Sequence, residues 1–464
     1  MLVALTIIVG LGCKVGPNYR RPIINSPDVF RGSDGTPPAD ATSLADLKWF
    51  EFFKDERLQE LIRAALGQNF DLRDAFVRVD AARANLGITR ANQFPSVNVS
   101  ANITTERFSS NGEFLLPFGF EQKRTFGGVF LNLLSFEVDA WGRLRRATES
   151  ARADLLLAEE NRKTVVTTLV SDVAAAYFSL LELDMELEIA RRTLATREDS
   201  LRLIEVRQRG GVATLLDLRQ AQQLVYGAAG VIPDVERLTE QTENQIQLLL
   251  GLSPGPVVRG LSLTEQPQLP SVPPGLPSSL LERRPDIRAA EQNLVAANAI
   301  IGVAKAAYFP QISLTGFLGS QSTQLSSLFT GPNRAWQFAP DVTQPIFEGG
   351  RIRSNVKLAE AQREIALVQY EKTIETAFRE VSDALVQHRQ VTEIRVQVEL
   401  LVAALQDRSR LAYMRYRGGV DTLLNAQDAD RDLFTAELGL ARTRRDELLA
   451  VVQLYKALGG GWQQ

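Results

Sequence analysis

Two stretches decide the fold: Arg207–Leu216 reads RQRGGVATLL, and 208 positions later Arg415–Leu424 reads RYRGGVDTLL. Self-similarity at a fixed offset is the signature of a repeat architecture. Working outward, Gly142-Arg143-Leu144-Arg145 returns at the same offset as Gly350-Arg351-Ile352-Arg353. Phe94-Pro95 returns as Phe309-Pro310 and Asp71-Leu72-Arg73 as Asp286-Ile287-Arg288, both 215 positions on. The pairs keep one order, so the chain is a tandem duplication. Between the halves, Pro254, Pro256, Pro267, Pro270, Pro273, Pro274 and Pro277 forbid helix and central strand, and residues 251–280 read as a linker.

From Gly142 to Arg209 no proline interrupts the chain, and Val166, Leu169, Val173, Ala176, Leu180, Leu183, Leu187, Ala190 and Leu194 step by three and four. The second half repeats the row from Ile374 to Val402, with His388 and Arg395 as polar interruptions. A period of about 3.5 predicts left-handed coiling against a neighbouring helix. A helix of ~65 residues rises about 100 Å, several times the width of a compact domain, so such rods must pack side by side. Each RGGV turn opens a second helix, predicted over about 214–250 and 422–458, which makes two antiparallel helical hairpins. His388 sits on the apolar row without a second metal-ligand candidate and reads as a packed or partly hydrated core histidine. On periodicity alone, a periplasmic coiled-coil scaffold fits the rods as well.

After each Phe-Pro pair the period changes to two. Val97, Val99, Ala101 and Ile103 alternate with Asn98, Ser100 and Asn102, and Ile312, Leu314, Gly316 and Leu318 alternate with Ser313 and Thr315. Such a strand has one apolar and one polar face, as a barrel strand between lipid and water requires. Strands are predicted over about 95–106, 125–138, 310–320 and 335–347, with Gly-, Ser- and Asn-rich loops between partners. Pro340 and Pro345 conflict with the fourth, because proline donates nothing to a ladder, and predict a bulge or the strand's end. Four strands cannot close a barrel, which needs about eight, so the chain must oligomerise; three copies supply twelve.

The 464 residues are 45% hydrophobic and 23% charged with a net charge of -3, an ordered composition without the basic surface that nucleic acid demands. One Cys and one His, Cys13 and His388, exclude Cys/His metal sites and histidine-based nucleophile dyads and triads. No cofactor and no enzymatic activity are expected. Met1–Gly12 is an apolar run ending at Cys13, which reads as an export signal followed by a lipidated first mature residue, although no Lys or Arg precedes the run. Lys14 after the cysteine resembles lipoproteins sent to the outer membrane. Beyond the N-terminus no stretch of ~18 apolar residues is visible, so a membrane role must use barrel strands or a lipid.

CKVGPNYRRP from Cys13, LLERRPDIRAAE at Leu280–Glu291, GGR at Gly349–Arg351 and the duplicated RGGVxTLL turns stand in one order along the chain. Together they resemble outer-membrane efflux proteins of the TolC/OprM type, in the NodT-like lipoprotein branch, over essentially the whole length. The resemblance implies a mainly α chain with membrane β-strands. It forms a homotrimer whose 12-stranded β-barrel in the outer membrane continues into a long α-helical barrel across the periplasm. The implied function is a passive exit duct for drugs and small molecules, served by a periplasmic adaptor (a membrane fusion protein) and an inner-membrane RND-type pump. A type I secretion duct for proteins shares the fold.

The implied segments are a signal over 1–12, a lipid-anchored segment with the first equatorial helix over 13–65, repeats over 66–250 and 281–458 flanking the linker, and a tail over 459–464. The resemblance places a periplasmic gate at Asp217 in the first half and at Leu424, Asn425 and Asp428 in the second, with Asp421 a weaker candidate. Asn425 replaces a carboxylate found in some relatives. One carboxylate per protomer on a three-fold axis makes a ring of like charges that raises pKa values or recruits cations. Asp217 also suits a helix's first turn without any gate. The turns Gly210-Gly211-Val212 and Gly418-Gly419-Val420 would contact the adaptor.

Overall fold

A computed structural model describes residues 14–24, 27–33, 43–109, 121–267 and 277–462. The signal over 1–12, Cys13, the tip of the first interstrand loop and Pro270, Pro273 and Pro274 of the linker lie outside the described residues.

The duplication is kept residue for residue in the helices. After α1 (Glu56–Gln68), the 22-residue α2 (Phe70–Ala91) recurs as the 22-residue α6 (Pro285–Ala306), which follows the short α5 (Pro277–Arg283). The 67-residue α3 (Arg143–Arg209) recurs as α7 (Arg351–Arg417), and the 35-residue α4 (Leu215–Leu249) as α8 (Leu423–Ala457). Between them lie β1 (Val97–Arg107) and β2 (Lys123–Glu137) in one half, and β3 (Gln311–Ser322) and β4 (Arg334–Thr343) in the other. The helix α4 runs through Pro233, which withholds the N–H that Ala229 would otherwise receive. Two compact units result, each drawing on both repeats: one takes Val79–Leu157, Ala290–Tyr370 and residues up to Pro22, the other Ile23–Arg78, Ala158–Ala289 and Glu371–Gln464.

The first unit carries a four-stranded antiparallel sheet in the order β1-β2-β3-β4. Val99 faces Leu131, Leu131 faces Leu318 and Leu318 faces Trp336, so one apolar row crosses all four strands. All four side chains are exposed, from 48% at Leu131 to 76% at Trp336. One residue along, hence on the opposite face, the row is Asn98, Asn132, Phe317 and Gln337. Phe130 also lies on this face and meets Phe317 edge-on at 5.3 Å. It occupies room left by Gly319, where a Cβ would come within 2.6 Å of the ring. Pro340 stays in register opposite Leu314 without a bulge, in the strand that forms one edge of this chain's sheet. The fourth strand stops at Thr343, before Pro345, and the register shift falls in β2 between Leu133 and Phe136.

The second unit is helical. Phe52 stacks on Tyr455 at 4.3 Å, and Phe53 packs against both Phe52 and Phe178. Asp55 caps α1 through Arg57 N at 2.8 Å and accepts the Tyr177 hydroxyl at 2.9 Å. The apolar row of α3 is buried at Val166, Leu169, Val173, Ala176, Leu180, Leu183 and Ala190. One window of α3 is long and apolar enough to cross a membrane, contrary to the sequence reading, but 67% of it is buried, which identifies a core helix. The row of α7 is buried at Ile374, Ala377, Val381 and Ala384 but half-exposed from His388 to Val398. His388 itself is half-buried with an unpartnered Nδ1.

Candidate functional site at the helical turns

Both hairpin turns have the same backbone. Gly211 has φ +69 and Gly419 φ +74, the left-handed region that glycine enters without a steric penalty. Val212 N donates to Arg207 O at 2.8 Å and Gly211 N to Gln208 O at 3.0 Å, the paired bonds that close a helix C-terminus. Val420 N to Arg415 O and Gly419 N to Tyr416 O, both 3.1 Å, repeat them 208 positions on. Gly210, Gly211, Val212, Gly418, Gly419 and Val420 are all exposed, with Val212 at 79% and Val420 at 66%. Thr214 then caps α4 and Thr422 caps α8.

The halves differ in where the carboxylate sits. Asp217 closes a capping box: its carboxylate accepts Thr214 N at 2.8 Å while its own N–H donates to Thr214 Oγ1 at 3.1 Å. At the equivalent position, Asn425 N reaches Thr422 Oγ1 only at 3.4 Å. The acid appears instead at Asp421, where Oδ1 accepts Asn425 Nδ2 at 2.6 Å and Thr422 N at 2.8 Å, and Oδ2 accepts Arg415 Nε at 3.0 Å. The Asn425 amide, the Thr422 N–H and Arg415 hold the Asp421 carboxyl below the usual carboxylate range. Leu424, exposed, and Asp428, half-buried, share one face of α8 at i and i+4, opposite the buried Ala426, Ala429 and Asp430. Asp428 is paired with Arg431 at 3.1 Å.

Three contacts at this end of the hairpins were not foreseen from the sequence. Arg207 lies over the Tyr416 ring at 5.2 Å; Ile204, Ala221 and Leu423 form a buried cluster; and Arg197 Nε donates to Asp430 at 2.7 Å with both residues buried. Arg197 stands three residues after Leu194, the next step of the apolar row. A charge on that row was the available signal.

The segment after Cys13 is fastened to the first unit. Val15 N donates to Trp141 O at 3.0 Å, and Trp141 follows the last residue of β2 by four positions. Arg146, 1% exposed, donates to Val15 O at 3.2 Å, Gly16 O at 3.1 Å and Asn18 Oδ1 at 2.9 Å. Tyr19 and Arg21 both bind Glu291, which explains much of the KVGPNYRRP and DIRAAE motifs. Among the described residues no cluster of three or more His, Cys, Asp or Glu could hold a metal ion.

The family described as outer membrane efflux protein matches residues 61–252 and 276–460. The antibiotic efflux pump outer membrane protein ArpC of Pseudomonas putida is 38% identical over 467 residues, covering 99% of this chain and 95% of the relative. The outer membrane protein OprJ of Pseudomonas aeruginosa is 37% identical over 463 residues, covering 99% and 96%. Among solved structures, the outer-membrane channel OprN superposes with a TM-score of 0.89 at 30% identity, covering 97% of this chain and all (100%) of that one. The open state of the Neisseria gonorrhoeae MtrE outer membrane channel superposes at 0.87 with 31% identity, covering 97% and 99%.

Proposed function

This chain belongs to the outer membrane efflux protein family, and from that premise we propose that three copies form the exit duct of a tripartite pump for drugs and other small toxic molecules. The chain is an outer-membrane efflux channel, a conduit and not an enzyme. The observation that carries the assembled duct is the sheet: four strands, an exposed apolar face, and unpaired edges at β1 and β4. An apolar face of this kind suits lipid, and β4 of one copy pairing with β1 of the next is a head-to-tail contact that closes into a ring. Three copies then supply twelve strands, enough for a barrel with an open lumen.

The RND-type inner-membrane pump and the periplasmic adaptor complete this reading, with Gly210-Gly211-Val212 and Gly418-Gly419-Val420 as the adaptor's contacts. Their exposure and twofold repetition support that role. Leu424, Asn425 and Asp428, with Asp217 and Asp421, constitute the periplasmic gate; one such set per copy around a three-fold axis concentrates negative potential in the lumen. Cys13 carries the lipid anchor. The fastening of Val15, two residues on, beside the end of β2 supports this.

The test pairs a deletion strain with purified trimers in planar bilayers. Loss of the protein is expected to raise susceptibility to several unrelated antibiotics and solvents, and trimers are expected to conduct. Unchanged susceptibility with an exported protein trapped in the cell would replace the cargo by protein, and a trimer without conductance would end the duct reading.

A further inference from the structure

The two repeats differ where their helices join the sheet. Arg83, Gly87 and Arg90 share one face of α2, and Arg145, Glu149 and Arg152 one face of α3, each at i, i+4 and i+7. The equivalent residues of the second half are Asn298, Gly302 and Lys305 of α6 and Arg353, Lys357 and Glu360 of α7. There the charges close on themselves, with Lys305 Nζ 2.9 Å from Glu360, and Val15 and Arg146 fill the space over Gly302. In the first half Arg152 takes the place of the glutamate, so the couple becomes Arg90 with Arg152, two like charges. Nothing lies within 4 Å of where a Cβ on Gly87 would stand. The space is an open cleft of about 710 Å³, lined by Lys14, Arg83, Arg90, Arg145 and Arg152 against the single acid Glu149. Glu149 is already shared by Lys14 at 3.1 Å and the buried Arg146 at 3.0 Å, while Asp80 holds Arg83 and Asp139 holds Arg145. Among the described residues no carboxylate pairs with Arg90 or Arg152.

The place of the cleft selects its anion. The start of β1 and the end of β2 lie at one end of the sheet, the end that α2 and α3 adjoin. Phe94, Tyr308 and Phe347 stand just outside the strands there, exposed at 62%, 48% and 89%. Exposed aromatics at the ends of barrel strands mark the level of lipid headgroups. Gln93, next to Phe94, also lines the cleft, and Arg90 to Arg83 carries it a further ~10 Å along α2. We propose that the cleft holds the phosphodiester headgroup of an anionic phospholipid from the leaflet facing the periplasm, with Arg90 and Arg152 on the phosphate oxygens. The inference rests on the lipid-facing sheet proposed above. A guanidinium presents a planar fork of donors that matches phosphate, and one phosphate between two cations replaces their repulsion by attraction. Anionic lipid is concentrated at a bilayer surface, where basic clefts collect it.

Trimers purified from the outer membrane into detergent test this, with phosphatidylglycerol and phosphatidylcholine added in equal amounts. Native mass spectrometry is expected to find several-fold more phosphatidylglycerol than phosphatidylcholine retained, and phosphatidylglycerol alone is expected to raise the temperature at which trimers dissociate. Arg152→Glu rebuilds with Arg90 the couple that Lys305 makes with Glu360. It is expected to leave the lipid-free trimer at least as stable as the parent and to lose both effects. Should it fail to assemble, Gly87→Leu provides the second arm: it fills the cleft from α2 with a better helix former, keeps every charge and is expected to lose both effects too. A variant that still selects phosphatidylglycerol would put the lipid elsewhere. Inorganic phosphate that stabilises the parent as much as phosphatidylglycerol does would make this a site for a free anion. Trimers that dissociate with Arg152→Glu but not with Gly87→Leu would show that a carboxylate of the neighbouring copy occupies the cleft. Any of these results overturns the inference, whereas unsubstituted protein recovered outside the membrane fraction would instead bring down the lipid-facing sheet itself.

Discussion

Glu182 and Glu186, one turn apart on α3 and both buried, share one arginine: Arg442 Nε lies 2.6 Å from Glu186 and 4.0 Å from Glu182. Arg445 contributes a second contact to Glu182 at 3.2 Å and is itself drawn to Asp446 at 2.8 Å. Burial and the adjacent Glu186 charge push the Glu182 carboxyl up to about 7 from 4.5, against the pull of the two arginines. Between those values the folded state holds a proton that the unfolded state has released. The stabilisation is therefore complete below the unfolded value and lost as pH rises toward about 7. Glu182→Gln is expected to flatten the fall in melting temperature across that window, measured by circular dichroism at a series of pH values. A variant with the parent's slope would mean that Glu182 does not titrate there.

Removing one partner of the Arg197–Asp430 pair should be worse than removing both. Asp430→Ala leaves a buried guanidinium uncompensated and is expected to cost about 3–5 kcal/mol, whereas Arg197→Met with Asp430→Leu costs less than the single change. Denaturant titration of the solubilised protein measures the difference, and a double variant less stable than Asp430→Ala would contradict it.

The two helix caps predict unequal losses. Thr214→Ala removes a capping bond of 3.1 Å inside a reciprocal box and is expected to cost about 1 kcal/mol, while Thr422→Ala removes a 3.4 Å contact and costs less. Hydrogen exchange of the first-turn amides of α4 and α8 reads both; equal protection losses would show that the Asp217 box adds nothing.

Glycine has different reasons in the turns and in the sheet. Gly211→Ala meets no atom within 4 Å, so only its left-handed backbone opposes the change, by about 1 kcal/mol. Gly319→Ala would drive a methyl against the backbone oxygen of Val129 and to 2.6 Å from the Phe130 ring, so it is expected to impair assembly even with Phe130→Ala. Trimer yield on gels decides, and an alanine at 319 that assembles normally would show that β2 and β3 part locally to admit it.

The apolar period of 3.5 in α3, the alternation in β1 and β3 and the repeated RGGV turns are properties of local sequence, since side-chain direction follows directly from backbone periodicity. Two helical hairpins and two strand pairs were legible from them. So were the exposed glycine turns, followed by an acid in the first turn of α4 at Asp217 and one just before the cap of α8 at Asp421. Sequence alone also left Asp217 with two readings, and its capping bonds establish the local one without removing the other. What local pattern could not specify is which distant residues share one environment. Arg197 and Asp430 are 233 positions apart, and burial on facing helices turns two common surface residues into a lock. Pro340 reads as a strand breaker until the sheet order places β4 at the edge of this chain's sheet, a position that tolerates proline. The duplication was written in the sequence; that Arg197, Arg192 and Glu186 of α3 face Asp430, Glu437 and Arg442 of α8 emerged only from tertiary packing, which decides which helix each charge faces.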